Sequence, residues 1–237
     1  AIVLVYFFSP SVQAAVTTEN LSVVMVIDVS GSMSSTDPQR LRESAACIFI
    51  DLLAPEDRLG VIVFDDKAEV ALPMQPVGSA AHRENIKDML SARLTPRGYS
   101  NFLLALNTAY DQLQAGAAEG SRPVVLFLTD GEPDMPDFAA DQTLVSSYLS
   151  SLWETVGRFA LQGYPVYSVA FSDEIDPDII RKISQDTAGD HYILEDAADL
   201  AVSFFDLLGT LKNRRGFLLD SALLGIEALV FDFQVGE

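Results

Sequence analysis

Short apolar runs rich in Val, Ile and Phe recur along this chain, separated by segments with a different periodicity. Four runs stand out, at residues 23–27, 61–64, 124–128 and 166–171. They are mostly continuous rather than alternating, which is typical of strands in a sheet that is covered on both faces. A shorter run at residues 192–194 predicts a fifth parallel strand.

The segments between these runs carry apolar residues at helical spacing. From Leu41 to Leu52 the apolar residues fall on one face of a predicted helix, with Asp37 as its cap and Pro38 at its first helical position. The same spacing predicts helices over residues 102–113, 145–159, 176–183 and 200–211. Strands that alternate with helices favour right-handed crossovers and a doubly wound sheet.

One connection is too short for such a crossover. Only residues 65–69 separate Phe64 from Val70, so residues 68–72 are predicted to form an antiparallel strand. Pro73 follows, and proline suits an edge strand because it cannot donate to a central ladder. The predicted fold is therefore α/β: a doubly wound, mostly parallel six-stranded sheet with one antiparallel edge strand and helices on both faces.

Composition narrows the classes of function. The chain has 237 residues and a formal net charge of −19, and such an acidic surface repels phosphate backbones, which excludes nucleic-acid binding as a main role. The single cysteine, Cys47, excludes a disulfide within the chain and a multi-cysteine metal site. With only His82 and His191, a zinc site built from several histidines is not expected.

The two ends of the sequence differ from the middle. Residues 1–8 are apolar and lead through Ser9 and Pro10 to small residues before Ala14, so residues 1–14 are predicted to be a signal-peptide remnant of a secreted or cell-surface protein. A short buried strand is the alternative, and membrane anchoring outside the printed sequence remains open. The main domain is predicted over residues 20–212, and residues 217–237 are predicted to be a C-terminal extension that begins a further β-rich domain.

Oxygen-bearing side chains cluster where the predicted sheet would bind a ligand. Asp28, Ser30 and Ser32 follow the first strand, Asp130 follows the run at 124–128, and Ser100 precedes a helix. Ligands of open α/β sheets bind beyond the carboxyl ends of the strands, at the switch point of the strand order. Hard oxygen donors without soft ligands favour Mg²⁺, with Mn²⁺ and Ca²⁺ as alternatives. A dication held by at most two carboxylates keeps the Lewis acidity to accept a carboxylate from another molecule.

These motifs resemble the von Willebrand factor type A family, which includes the inserted domains of integrins. The matching segments are Asp28-Val29-Ser30-Gly31-Ser32-Met33, Gly98-Tyr99-Ser100-Asn101 and Leu128-Thr129-Asp130-Gly131. Ser100 stands where the family usually has threonine. The resemblance implies a divalent cation held by five residues, with the serines in contact with the metal: Asp28, Ser30, Ser32, Ser100 and Asp130. It also implies a non-enzymatic adhesion domain, secreted or on the cell surface, that binds an Asp or Glu side chain of a protein partner through the cation.

Other interpretations of the same residues remain open. Asp28 and Ser30 could form a simple turn in which Gly31 supplies a positive φ, and Ser100 or Asn101 could serve only as a helix cap. An intracellular assembly platform in a larger complex is a second functional class. A metal-dependent hydrolase is a third, because Asp28 follows a strand as the nucleophile of haloacid dehalogenases does, but Ser30 stands where that pattern has a second acid.

Overall fold

The structure of the protein is a computed structural model that describes residues 20–171, 178–194 and 197–211. The predicted leader at 1–14, the predicted extension at 217–237 and the start of the predicted helix at 176–183 lie outside these residues. Within the described ranges, no helix is both long enough and apolar enough to cross a membrane.

Six strands and seven helices occur in the described ranges. The strands are β1 Leu21–Asp28, β2 Arg58–Phe64, β3 Ala68–Pro76, β4 Arg122–Thr129, β5 Val166–Ala170 and β6 His191–Ile193. The helices are α1 Met33–Thr36, α2 Leu41–Leu52, α3 Ala80–Ser91, α4 Phe102–Gly116, α5 Gln142–Gln162, α6 Asp178–Asp186 and α7 Ala197–Leu211.

The sheet has the predicted form. Its strand order is β3-β2-β1-β4-β5-β6, in which only β3 runs antiparallel to its neighbour. The edge strand β3 continues to Pro76, beyond the predicted end at residue 72. Pro73 fits there because the register between β2 and β3 shifts, so that Leu72 pairs with Val61 and Gln75 with Leu59, and Pro73 falls between these pairs.

Strand β1 shows why the sheet is covered on both faces. Met25 and Ile27 point into one core, which also contains residues of α2, α3 and α7, whereas Val24 and Val26 point into a second core with α4, α5 and α6. All four side chains are fully buried. Because successive strand residues point to opposite faces, a strand between two cores is apolar at every position, which is the continuous pattern seen in the sequence.

The predicted start of α2 is wrong by three residues. Helix α2 begins at Leu41 rather than Pro38, because Arg40 has a left-handed conformation with φ 56° that interrupts the helical geometry. Asp37 nevertheless serves the helix from a distance, since its carboxylate accepts hydrogen bonds from the backbone N–H groups of Leu41 at 2.5 Å and Arg42 at 3.2 Å. The short helix α1, at Met33–Thr36, precedes Asp37 in the chain.

The strand order sets the position of the candidate site. From the adjacent strands β1 and β4 the sheet extends in opposite directions, through β2 on one side and β5 on the other. Ile27 pairs with Leu128 in parallel register, so the carboxyl ends of the two strands lie side by side. The first and third motifs therefore begin next to each other at the switch point, although about a hundred residues separate them in the sequence.

Candidate metal centre

Asp28 is the deepest residue of the candidate centre. It ends β1 and is completely buried. Its Oδ1 accepts a hydrogen bond from the backbone N–H of Ser30 at 2.7 Å, and its Oδ2 accepts one from the Thr129 hydroxyl at 2.7 Å. One carboxylate oxygen is thus oriented by its own loop and the other by the end of β4.

The carboxylate of Asp130 lies close enough to that of Asp28 to raise its pKa. The pKa of Asp28 is raised from 3.8 to about 7, mainly by burial and also by the negative charge of Asp130, while its hydrogen bonds to Ser30 and Thr129 lower it. Asp130 is itself only 3% exposed. Among the described residues, neither carboxylate forms an ion pair with Lys, Arg or His. The centre therefore concentrates negative charge away from water without a protein cation to balance it.

The two serines of the first motif extend this centre toward the surface. The Ser30 and Ser32 hydroxyl oxygens are 3.0 Å apart. Ser30 is buried and Ser32 is exposed, so the pair leads from the buried carboxylates to solvent. The Gly31 N–H between them donates to the carbonyl of Gly98 at 3.1 Å, which holds this loop against the segment that carries Ser100.

The Ser100 segment is bound to its neighbours on two sides. On one side, the Arg97 N–H donates to the Val29 carbonyl at 2.7 Å. On the other, Ser100 and Asp134 exchange backbone hydrogen bonds of 2.8 and 3.1 Å in an isolated antiparallel bridge. Ser100 is 4% exposed. The backbone therefore links all three motifs around one end of the sheet.

Gly98 is required by this packing. Its φ is +66°, and a Cβ at this position would lie 2.3 Å from Oδ1 of Asp66. Gly31 differs, because it does not have the positive φ of the simple-turn interpretation. A Cβ on Gly31 would instead lie 3.3 Å from the Gly98 carbonyl oxygen. The loop of the first motif and the loop that carries Ser100 therefore pack together at these two glycines.

Helix capping and the role of Ser100 are separate in the structure. Asn101 is the N-terminal cap of α4, and its side-chain Oδ1 accepts a hydrogen bond from the Leu104 N–H at 3.1 Å. The hydroxyl of Ser100 is therefore not needed as the cap. This removes the interpretation in which Ser100 serves only to begin the helix.

The donor set fits a divalent cation. Within the described part of the chain, no three His, Cys, Asp or Glu side chains converge as a metal cluster, so a cation here would draw on hydroxyl oxygens. Two buried carboxylates without a balancing cation, beside a pair of serine hydroxyls, offer the hard oxygens that Mg²⁺, Mn²⁺ and Ca²⁺ prefer. A thiolate or imidazole ligand is not part of this group of residues.

Comparison with known proteins identifies the family. Residues 23–132 match the family model of the von Willebrand factor type A domain. The chain contains a von Willebrand factor type A domain. It is 28% identical over 215 residues to human (Homo sapiens) inter-alpha-trypsin inhibitor heavy chain H4, an alignment that covers 88% of this chain and 22% of the relative. The chain therefore spans less than a quarter of that relative's length.

Solved structures share the fold of this type A domain. A von Willebrand factor type A protein from Catenulispora acidiphila superposes with a TM-score of 0.64 at 22% identity, covering 82% of this chain and 43% of the other. The mussel byssus protein named proximal thread matrix protein 1 superposes at 0.59 and 12% identity, covering 81% and 48%, and its structure is described as having a zinc-occupied MIDAS motif. At these identities the likeness concerns the fold.

Two residues near the site of the type A domain were not predicted. Thr129 orients Asp28 through a hydrogen bond, whereas the sequence alone indicates only that Thr129 ends a strand. Thr36 forms a hydrogen bond with Asp130, 94 residues away, and no local pattern indicates that contact. Both are neutral donors to carboxylates, a role that depends on tertiary proximity.

Proposed function

We propose that this type A domain holds a divalent cation, preferentially Mg²⁺, at the switch point of its sheet and binds protein partners there through an Asp or Glu side chain. The proposed ligand set is Asp28, Ser30, Ser32, Ser100 and Asp130. The observation that carries the proposal is the pair of buried carboxylates, Asp28 and Asp130, which has no cationic side chain to balance it in the described chain.

The buried charge favours a resident cation for an energetic reason. Burying a carboxylate without compensation costs several kcal/mol, and here the cost appears as a pKa of about 7 for Asp28. A dication would offset both negative charges and leave the surrounding hydrogen bonds of Ser30 and Thr129 in place. When bound, such an ion supplies a positive coordination centre to which a partner carboxylate can bind.

The chain's own residues would hold and orient this centre. Asp28 is fixed through both carboxylate oxygens, and Ser30 and Ser32 lead toward solvent, where a partner can approach. The loop carrying Ser100 is fastened to the first motif and to the segment after Asp130, so the donors sit on a preorganised frame. The proposal assigns no catalytic residue and describes binding rather than turnover.

Thermal unfolding in Mg²⁺, in Mn²⁺ and in EDTA tests the metal site. A ligand at 100 times its dissociation constant stabilises the folded state by about 2.7 kcal/mol, so Mg²⁺ should raise the melting temperature of the wild type well above its value in EDTA. Ser32→Ala should lose most of this shift. Ser35→Ala is the matched control, because Ser35 is an exposed serine of the same segment whose hydroxyl donates to the Ser32 carbonyl, at 2.9 Å.

Two results would count against the metal site. The first is a melting temperature of the wild type that does not respond to either ion. The second is an equal loss of response in Ser32→Ala and Ser35→Ala, since this would reflect general damage to the loop rather than removal of a ligand.

A second experiment tests the partner chemistry. Peptides selected from a display library on the domain in Mg²⁺, and released by EDTA, should share an Asp or Glu. Replacing that residue with Asn or Gln should abolish binding if the carboxylate is what the site recognises. Selected peptides that tolerate this replacement, or that remain bound in EDTA, would contradict the proposed mode of binding.

A further inference from the structure

Helix α1 follows the first motif directly and returns to the metal centre. Its last residue, Thr36, donates a hydrogen bond from its hydroxyl to Oδ2 of Asp130. The same hydroxyl lies 3.0 Å from the carbonyl of Ser32, and the Thr36 N–H donates to that carbonyl at 3.1 Å. Thr36 thus joins the first motif to the third.

The residue after Thr36 is anchored in the protein interior. Asp37 is 2% exposed, and its N–H donates to the Met33 carbonyl at 3.2 Å, which closes the short helix. Its carboxylate forms a buried ion pair with Arg42, with 2.7 Å between Oδ2 and Nη1. Arg42 in turn donates from Nη2 to the Leu94 carbonyl at 2.9 Å. The buried contacts of Asp37 therefore help to fix the position of Thr36, its neighbour in the chain.

We propose that Thr36 is a positioning residue of the metal centre, which holds the Asp130 carboxylate in the orientation needed for cation binding. The inference rests on the proposed function and adds to it a residue that contributes through Asp130. A hydroxyl suits this role because it orients a carboxylate without neutralising it. A lysine or arginine in its place would pair with Asp130 and compete with the cation.

A purely structural role for Thr36 makes different predictions. Its methyl group could pack beside α1, and its hydroxyl could serve only to bond the Ser32 carbonyl, as serine and threonine hydroxyls often do in helices. In that case removing the hydroxyl would affect folding and leave metal affinity unchanged. The two roles are separated by measuring both properties on variants that remove the hydroxyl and the methyl group independently.

The experiment measures Mn²⁺ affinity by isothermal titration calorimetry, and the melting temperature in EDTA, for Thr36→Val and Thr36→Ser. Thr36→Val keeps the shape and loses the hydroxyl, so it should bind Mn²⁺ at least about 10-fold more weakly, as is typical when a residue that orients a metal ligand is removed. Thr36→Ser keeps the hydroxyl and should stay within about 2-fold of the wild type. Should Thr36→Val not fold, Thr36→Ala replaces it with the same expected loss.

Thr108→Val is the matched control. Thr108 lies within α4, and its hydroxyl also donates to the carbonyl four residues before it, that of Leu104, at 2.8 Å, whereas the described residues show no hydrogen bond from it to Asp130. This variant should bind Mn²⁺ like the wild type. In EDTA, the melting temperature of each variant reports the cost of the substitution to folding, separately from its Mn²⁺ affinity.

Three results would overturn the inference. Wild-type affinity in Thr36→Val would exclude the positioning role while leaving the proposed metal site intact. An equal loss in Thr36→Val and Thr36→Ser would assign the effect to the methyl group or to local damage. A wild type that shows no Mn²⁺ binding at all would overturn both this inference and the proposed function.

Discussion

Two aspartates nine positions apart, Asp28 and Asp37, are both buried, yet their surroundings differ. Asp37 has a cationic partner, since Arg42 lies 2.7 Å away and is itself buried. Among the described residues, Asp28 has neutral hydrogen-bond donors and a second carboxylate nearby, and its pKa is raised to about 7. The comparison teaches that burial alone does not mark a functional carboxylate. What distinguishes Asp28 is that the protein leaves its charge unbalanced.

The largest expected effect on stability concerns Asp37, whose charge is balanced by Arg42. Arg42→Ala would leave Asp37 buried without its partner, and loss of one member of a buried pair typically costs about 3–5 kcal/mol. Urea unfolding should show this loss. Arg93→Ala, which removes an ion pair of a half-buried arginine with the exposed Glu69, should cost no more than about 1 kcal/mol. Equal losses in the two variants would refute the structural role assigned to Arg42.

The next effect concerns Asp28, whose contribution to stability should depend on pH. Because the pKa of Asp28 is raised in the folded state, the folded protein without metal binds a proton that the unfolded chain has released. Its stability should therefore fall as pH rises from about 4 to about 7 and level off above that. Between pH 5 and pH 7, Asp28 should contribute a decrease of about 2 kcal/mol in the free energy of unfolding.

Urea unfolding in EDTA at several pH values measures this dependence. Asp28→Asn cannot ionise and should lack that part of the decrease. Glu132→Gln changes an exposed acid two residues after Asp130 and should keep the wild-type slope. If the wild type and Asp28→Asn followed parallel curves, the raised pKa of Asp28 would be wrong.

The smallest effect tests the hydrogen bond from β4 to Asp28. Thr129→Val removes the hydroxyl that donates to Oδ2 and should cost about 1–2 kcal/mol, more at pH 8 than at pH 5, because a hydrogen bond to an ionised carboxylate is the stronger one. Thr155→Val is the control, since the similarly buried Thr155 hydroxyl donates to the neutral Asn107 amide at 3.2 Å. A loss at Thr129 that does not vary with pH would indicate that Asp28 stays protonated.

The fold was largely predictable because the sheet lies between two cores. Continuous apolar strands such as residues 23–27 indicate burial on both faces, and helical spacing indicates the layers that cover them. The extension of β3 to Pro76 was missed because Pro73 reads as the end of a strand. Only the register shift opposite β2 explains why the pairing resumes at Gln75, and pairing between strands is not encoded at a single position.

The candidate site was predictable to a different degree. Asp28 and Asp130 follow predicted strands, so the switch-point rule predicted that they lie close together. Their metal-binding role remains a prediction. The supporting residues were not predictable. Arg42 occupies a position between Leu41 and Ala45 where a charged side chain would normally face solvent, and its burial depends on Asp37 and on the distant Leu94 carbonyl. Contacts of this kind become visible only after folding.

The two outer strands described in the sheet have a consequence for aggregation. An unpaired strand edge can recruit a strand from another molecule, but β3 carries two prolines and an irregular register, and β6 has only three residues. Neither offers a long, regular template for intermolecular pairing. Within the described part of the chain, the outer edges of the sheet therefore offer little support for a strand added from another molecule.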